Sequence, residues 1–356
     1  MTTLIHCADL HIGKSRKLPG YLARQDKMLS EIYRAAQEYS DGLVVIAGDV
    51  YDRLDLLPRE KDLFVEHLCR ADRAGITTIV VSGNHDMIDE DDDGYTHLRA
   101  IKVIAEERRL RNTYVVETNP ESFVPSKFPD LTVIAVPSYY RQTKDVCRIV
   151  RAQIKAQKEA GTLQRNVLAV VHETILGSRN DFGKRLGVDF GDPEHCVELD
   201  ASIPVTYWAL GDIHAPQQIG GVKNAWYCGA PIQHDFGDPG DRGVLVVDLD
   251  DPTNPKLLEL EGVKKLVSFV VTDQTTVQDI PTDAHVRLVG DRQHIRAFAG
   301  QTTSVIASKP TTTSTHEAVK DTGVSDVLLG LAVVLAEMGM TAEEQRWCMQ
   351  EAERLR

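Results

Sequence analysis

The sequence predicts an α/β protein in which two β-sheets pack together between helices, followed by a small α+β unit and a C-terminal helical pair. Three observations carry this expectation. Short continuous apolar runs alternate with helical patterns early in the chain. Strand-like runs then follow one another with few helices between them. Near the end, a Thr- and Ser-rich stretch precedes a last apolar helical pattern.

Leu4-Ile5-His6-Cys7, Leu43 to Ala47 and Thr77 to Val81 are the early strands. They are apolar at successive positions, as strands buried on both faces must be. Tyr21 to Tyr39, residues 59–74 and residues 95–109 carry helical periodicity between and after them. This βαβαβ order predicts a largely parallel sheet covered by helices. Strands are then expected at 113–116, 131–136, 167–171, 206–210, 225–228, 243–249 and 256–260, with a helix at 141–160. So many strands imply a second sheet packed on the first. The expected organisation is a main domain over 1–262, a small capping domain over 263–301 with strands at 266–271 and 285–289, a linker over 302–323, and a helical segment over 324–356. In that segment Val324, Val327, Leu328, Leu331, Val334, Leu335 and Met338 recur at helical spacing. Gly339 interrupts them, and Thr341 with Glu344 forms a capping-box signature for a second helix. Such a pair beyond a linker either folds back on the body or docks on a partner.

The 356 residues include 42% hydrophobic and 26% charged residues, the balance of a globular protein, and the formal net charge is −13. That charge excludes a protein that coats nucleic acid by bulk attraction, but not an enzyme that binds it locally. No apolar run approaches the roughly 18 residues of a membrane span. The N-terminus has no basic region leading into a long apolar one, so no secretory signal is expected. Six scattered cysteines without C-x-x-C spacing are expected to be free thiols in a cytoplasmic protein. Lys14, Arg16, Lys17, Arg24 and Lys27 form a basic patch beside the first motif. Arg179, Lys184 and Arg185 lie in a later glycine-containing loop. Either group would suit a phosphate backbone, and either could equally be a solvated surface. The acidic run Asp89 to Asp93 reads as a solvated loop, or as a gate that repels nucleic acid until a partner binds.

The chemistry-bearing residues follow strand ends. Leu4 to Ala8 leads into Asp9-Leu10-His11, and Leu43 to Ala47 into Gly48-Asp49-Val50-Tyr51-Asp52. Ile79 to Ser82 leads into Gly83-Asn84-His85-Asp86, Val167 to Val171 into His172, and Tyr207 to Leu210 into Gly211-Asp212-Ile213-His214. Sites in open α/β sheets lie beyond the carboxyl ends of strands, so five strands would deliver these side chains to one rim. Carboxylate, imidazole and amide oxygen together suit Mn, Fe or Zn rather than a thiolate site. The two oxygens of Asp49 could bridge a pair of ions about 4 Å apart. His85, beside Asn84 and the acidic Asp86, could protonate a leaving oxygen. Each motif is weak alone, whereas all five in this order at strand ends form a specific pattern.

These motifs resemble the calcineurin-like metallophosphoesterase superfamily and, within it, the SbcD-type (Mre-type) DNA double-strand-break nucleases of bacteria and phages. The similarity rests on Ile5 to Gly13, Gly48 to Asp52, Gly83 to Asp86, Tyr207 to Gln217 and Tyr227 to Ile232, and it covers roughly residues 1–300. It implies a two-sheet metallophosphoesterase sandwich. It implies one divalent ion on Asp9, His11, Asp49 and His214, and a second on Asp49, Asn84, His172 and Asp212, most simply Mn with Mg as the alternative. It implies a catalytic part for His85, with Asp86 beside it. It implies cleavage of DNA, as an exonuclease at duplex ends and an endonuclease on hairpins or single strands. Residues 324–356 would then grip an SbcC-type coiled-coil ATPase, and a homodimer would form within a heterotetramer. One departure stands out: the family pattern G-H-x-H is here Gly211-Asp212-Ile213-His214. An aspartate there hardens the site and should favour Mn or Mg over Zn. The rival readings are a metallophosphatase acting on phosphoprotein or small esters, and an inactive scaffold of the same fold.

Overall fold

The computed structural model describes residues 2–52, 54–88, 95–107, 110–138, 145–180, 183–188, 191, 193, 196–238, 241–291, 294, 295 and 298. The expectations for the acidic run at 89–93, the linker at 302–323 and the helical segment at 324–356 lie outside these residues. Two compact units are distinguished, Met1–Ser268 with Ile280–Arg287, and Phe269–Asp279 with Leu288 onward. Every candidate site residue named above belongs to the first.

Along the chain run β1 (Thr3–Cys7), α1 (Tyr21–Tyr39), β2 (Leu43–Ala47), α2 (Pro58–Arg73), β3 (Thr77–Val81), α3 (Leu98–Glu107) and β4 (Thr113–Val116). Then follow β5 (Glu121–Phe123), β6 (Leu131–Val136), α4 (Val146–Glu159), β7 (Asn166–His172) and β8 (Tyr207–Gly211). The last are β9 (Gln217–Gln218), β10 (Ala225–Tyr227), β11 (Val244–Asp248), β12 (Lys256–Leu258), β13 (Leu266–Val271) and β14 (His285–Gly290). The first sheet has the order β12-β11-β1-β2-β3-β4 and the second β5-β6-β7-β8-β10-β9, while β13 and β14 form a two-stranded sheet. Strands β1 to β4 are parallel, as the βαβαβ pattern requires. The late strands β11 and β12 return antiparallel to close the other edge. In the second sheet β6, β7, β8 and β10 are parallel, with antiparallel β5 and β9 at the edges.

The alternation of side chains along each strand explains why the runs are apolar throughout. Leu43, Val45 and Ala47 of β2 point into the core between the sheets, with Val133 and Ala135 of β6 and Leu168 and Val170 of β7. Val44 and Ile46 point the other way, onto Met28, Leu29 and Ile32 of α1 and Phe64 and Leu68 of α2. Val146, Val150 and Ile154 of α4, one helical turn apart, cover the outer face of the second sheet beside Ile134, Val136 and Trp208. The result is an α/β/β/α sandwich whose central strands have no wet face, so both sheets present their functional chemistry at strand ends.

Candidate metal centre

The loops beyond β1 and β2 are zipped together past the sheet. The Asp9 amide donates to the Gly48 carbonyl at 3.1 Å, and the His11 amide to the Asp49 carbonyl at 3.0 Å. This forces unusual backbone. The described non-glycine residues at positive φ are Asp9, His11, Ser15, Asp49 and Asp212, and four of those five are candidate ligands. Strain of this kind persists only where surrounding contacts overdetermine it, and it gathers at functional sites. Two glycines leave the necessary space. A Cβ on Gly48 would overlap the His172 ring, and one on Gly83 would overlap the Asp49 carboxylate.

The donors converge. His11 Nε2 lies 3.1 Å from His214 Nε2 and 3.6 Å from Asp49 Oδ2. His172 Nε2 lies 3.0 Å from Asn84 Oδ1 and 3.3 Å from Asp49 Oδ1. Asp49 therefore offers one oxygen to each side. Among the described residues, three groupings bring ligand atoms within 4.8 Å of one another: Asp9, His11 and His214; Asp9, Asp49 and His172; and His11, Asp52 and His85. Asp212 is outside these groupings. Its amide donates to Asp9 Oδ1 at 3.2 Å, and its Oδ2 accepts a hydrogen bond from Thr174 Oγ1.

Outer contacts aim these groups. His172 Nδ1–H donates to the Ala47 carbonyl at 2.8 Å, which leaves the Nε2 lone pair facing Asp49 and Asn84. His85 is exposed, and its Nδ1–H donates to the Asp52 carbonyl at 3.1 Å, so Nε2 is the ring atom left for a substrate. The His85 amide also donates to Asp49 Oδ1 at 2.9 Å. Asp86, grouped with His85 as catalytic on sequence grounds, is fully buried and faces away from the rim. Its oxygens accept the amides of Tyr51 at 2.9 Å, Gly83 at 2.8 Å and Val50 at 3.3 Å, tying the second and third loops together. Burial and the nearby Asp49 charge push its pKa up to about 7.

Two residues passed over in the sequence belong to the cluster. His234 donates from Nε2 to the Asp9 carbonyl at 2.9 Å, and its ring stands edge-on to those of His11 and His214. Asp52 lies 3.2 Å from His11 Nδ1 and 3.3 Å from Lys14 Nζ. Asp52 was signalled by its place in Gly48 to Asp52, whereas nothing in the spacing marks His234.

The basic patch is largely committed to the protein itself. Arg16 makes a two-pronged contact with Glu60, at 2.8 and 2.5 Å, and reaches Asp55 at 3.1 Å. Arg24 is buried and donates to the carbonyls of Lys264 and Gln233. Lys27 pairs with Glu31 at 2.9 Å. Lys14 stays closest to the donors through Asp52, and Lys17 is exposed. Arg179, Lys184 and Arg185 are exposed on a tight loop in which Arg179 bridges Arg185 and the Asn180 amide donates to the Lys184 carbonyl at 3.0 Å.

The donor set fits divalent cations. Asp9, His11, Asp49 and His172 are almost wholly buried, and among the described residues no lysine or arginine pairs with Asp9 or Asp49. Buried carboxylates so placed need positive charge. Burial, helped by neighbouring cations, pushes His214 down to about 3, and burial also lowers His11. Both rings are therefore neutral, with nitrogen lone pairs to offer. Burial opposes charge on His172, but Asp49, Asp9 and Asp212 outweigh it and raise its pKa well above the ordinary value. Burial would raise Asp49 as well, yet His172 and His11 hold it below the usual carboxylate range.

A sandwich of two sheets with a carboxylate–imidazole rim defines a class, and the family comparison agrees: the calcineurin-like phosphoesterase family matches residues 2–216, and the chain belongs to that family. More particularly, it is similar to the SbcD component of the SbcCD nuclease of Bacillus subtilis, with 25% identity over 264 residues covering 69% of this chain and 66% of that protein. It is also similar to the corresponding SbcCD nuclease component of Escherichia coli K12, with 23% identity covering 67% and 62%. The DNA double-strand break repair protein Mre11 of Methanopyrus kandleri is 22% identical over 69% of this chain and 54% of its own length. The matches span less than two thirds of these relatives' lengths. No helix among the described residues is long and apolar enough to cross a membrane.

Proposed function

We propose that the chain is a Mn-dependent DNA nuclease subunit that hydrolyses phosphodiester bonds at a two-metal centre, acting on duplex ends and on hairpins or single strands. The observation that carries this reading is the position of Asp49, whose two oxygens face His11 on one side and His172 on the other. In this reading Asp9, His11, Asp49 and His214 hold one ion, and Asp49, Asn84, His172 and Asp212 the other. Such ions supply Lewis-acid stabilisation of charge at phosphorus and activate water for attack. The chain's own residues do the rest. Water forms the new bond to phosphorus and gives up a proton to solvent, the bond to the leaving oxygen breaks, and that oxygen takes a proton from solvent relayed through His85 Nε2. Asp86 is a positioning residue that holds the His85 turn against the Asp49 loop. Lys14 and Lys17 are the basic-patch side chains best placed to meet a strand, with Arg179, Lys184 and Arg185 on the other flank. The similarity to SbcCD nuclease components supports partnership with an SbcC-type ATPase, which residues 324–356 would contact, and a homodimer within that assembly.

The test is cleavage of labelled linear and hairpin DNA by the purified protein with Mn, with and without the ATPase partner. Asp49→Asn should lose roughly a thousandfold in rate, equivalent to about 4 kcal/mol of barrier. His85→Ala should lose cleavage while still binding Mn. Turnover of a generic phosphate ester without DNA cleavage would favour a phosphatase instead, and no turnover with no metal bound would favour a scaffold.

A further inference from the structure

Behind the loop that carries His214 lies a small hollow of ≈ 60 Å³. It is far below the ≈ 300–1,000 Å³ of sites that take drug-sized ligands, yet it has room for several waters. Its lining is unlike the rest of this acidic chain. Arg24, Arg242, Lys264 and Lys265 surround it, with Glu259 as the one lining carboxylate among the described residues, over an apolar floor that includes Ile232. Glu259 lies 3.1 Å from the Lys265 ammonium, so its charge is already shared. Arg24 and Arg242 are each only 8% exposed. The Arg24 guanidinium is fixed by carbonyl acceptors, Lys264 O at 2.9 Å and Gln233 O at 2.8 Å, and among the described residues no carboxylate pairs with it. Burial accordingly lowers its pKa to about 10, with Asp238 only partly offsetting that. Guanidinium groups held rigidly by backbone and facing a shared cavity are the usual means of gripping tetrahedral oxyanions.

We infer that this hollow is a phosphate-binding subsite, separate from the metal centre, that takes one phosphate group through Arg24, Arg242 and Lys264. Its place gives it a relation to the rim, because Arg242 Nη1 donates to the carbonyl of His214. The phosphate has two possible sources, a nucleic-acid strand that continues past the rim or free orthophosphate. Neither requires a bound metal ion, so the inference stands apart from the nuclease reading.

The test uses full-length protein treated with chelator, so that the metal centre captures neither ligand. Calorimetric titration with inorganic phosphate, at ionic strength held constant with chloride, should show saturable binding. Lys264 is exposed, so Lys264→Glu should fold and should weaken that binding at least roughly tenfold, as loss of one charged hydrogen bond implies. Arg242→Lys, which keeps the charge and removes the guanidinium fork, should weaken it too. A single-stranded oligonucleotide displaced by phosphate from the wild type but not from Lys264→Glu identifies the strand as the source. Phosphate binding without such competition identifies orthophosphate. Absence of saturable binding in the chelated protein, or equal affinity in the wild type and both variants, overturns the inference.

Discussion

At the end of the first sheet Asp9, His11 and Asp49 are all held at positive φ, in loops that hydrogen-bond to each other through backbone. At the end of the second sheet His172 is simply the last residue of β7, and it is aimed by a hydrogen bond to Ala47, across in the first sheet. Asp212 leans on Asp9 in the same way, through its amide. His234, further along the chain, also reaches back to the Asp9 carbonyl. One rim is built mainly by local backbone strain, and the other, where only Asp212 sits at positive φ among the described ligands, is registered onto it by contacts between the sheets. The first rim is therefore the template, and damage to it should propagate to ligands that the second sheet supplies.

The largest effect that would sharpen this contrast is on His234. Loss of an outer residue that orients a ligand typically costs 10–100-fold in metal affinity. His234→Ala should show such a loss by calorimetric Mn titration with little change in thermal stability. Unchanged affinity would mean that the Asp9 carbonyl needs no support from that ring. A smaller effect is expected at the second rim, where Asp212 replaces the family histidine. Asp212→His should shift the preference between Mn and Zn toward Zn by roughly tenfold, because imidazole is a softer donor than carboxylate. Equal relative affinities in both proteins would remove Asp212 from the ligand set.

The smallest effect concerns the scaffold of the first rim. Glu60 is buried. Burial raises its pKa, but Arg16, the Leu57 amide and the Tyr21 hydroxyl together outweigh that and hold it below the ordinary value. A depressed carboxylate adds stability that is complete above its unfolded pKa, about 4.3, and is lost as pH falls through the folded value. Glu60→Gln should cost about 1 kcal/mol at neutral pH by urea unfolding, and the gap to the wild type should close in acid. A gap that stays constant down to pH 3 would show that the Arg16 clamp does not carry the difference.

How much of this was legible in the sequence follows the same divide. The central strands of both sheets were readable because they are buried on two faces, and Tyr21–Tyr39 was readable from its periodicity. Strands β5 and β9 escaped, being only three and two residues long. Helix α3 starts at Leu98 rather than 95, because Thr96 bridges Met87 and the His97 amide donates to the Asp86 carbonyl. Donors directly after a strand were visible, since strand direction fixes where they emerge. His234 was not, because only the fold brings it beside Asp9. The basic patch looked available for the same reason: Glu60 lies 44 residues from Arg16, and the acceptors of Arg24 lie more than 200 residues away. Adjacency to His85 made Asp86 look reactive, but the 3₁₀ turn at Asn84–Asp86 sends the two side chains to opposite sides of the loop.

Manganese stoichiometry tests the shared centre most directly. Crystals soaked in Mn, with anomalous scattering collected for the wild type and for Asp49→Asn, should show two ions flanking residue 49 in the wild type and loss of at least one in the variant. Two ions retained without the Asp49 carboxylate, or none among these side chains in the wild type, would contradict the account.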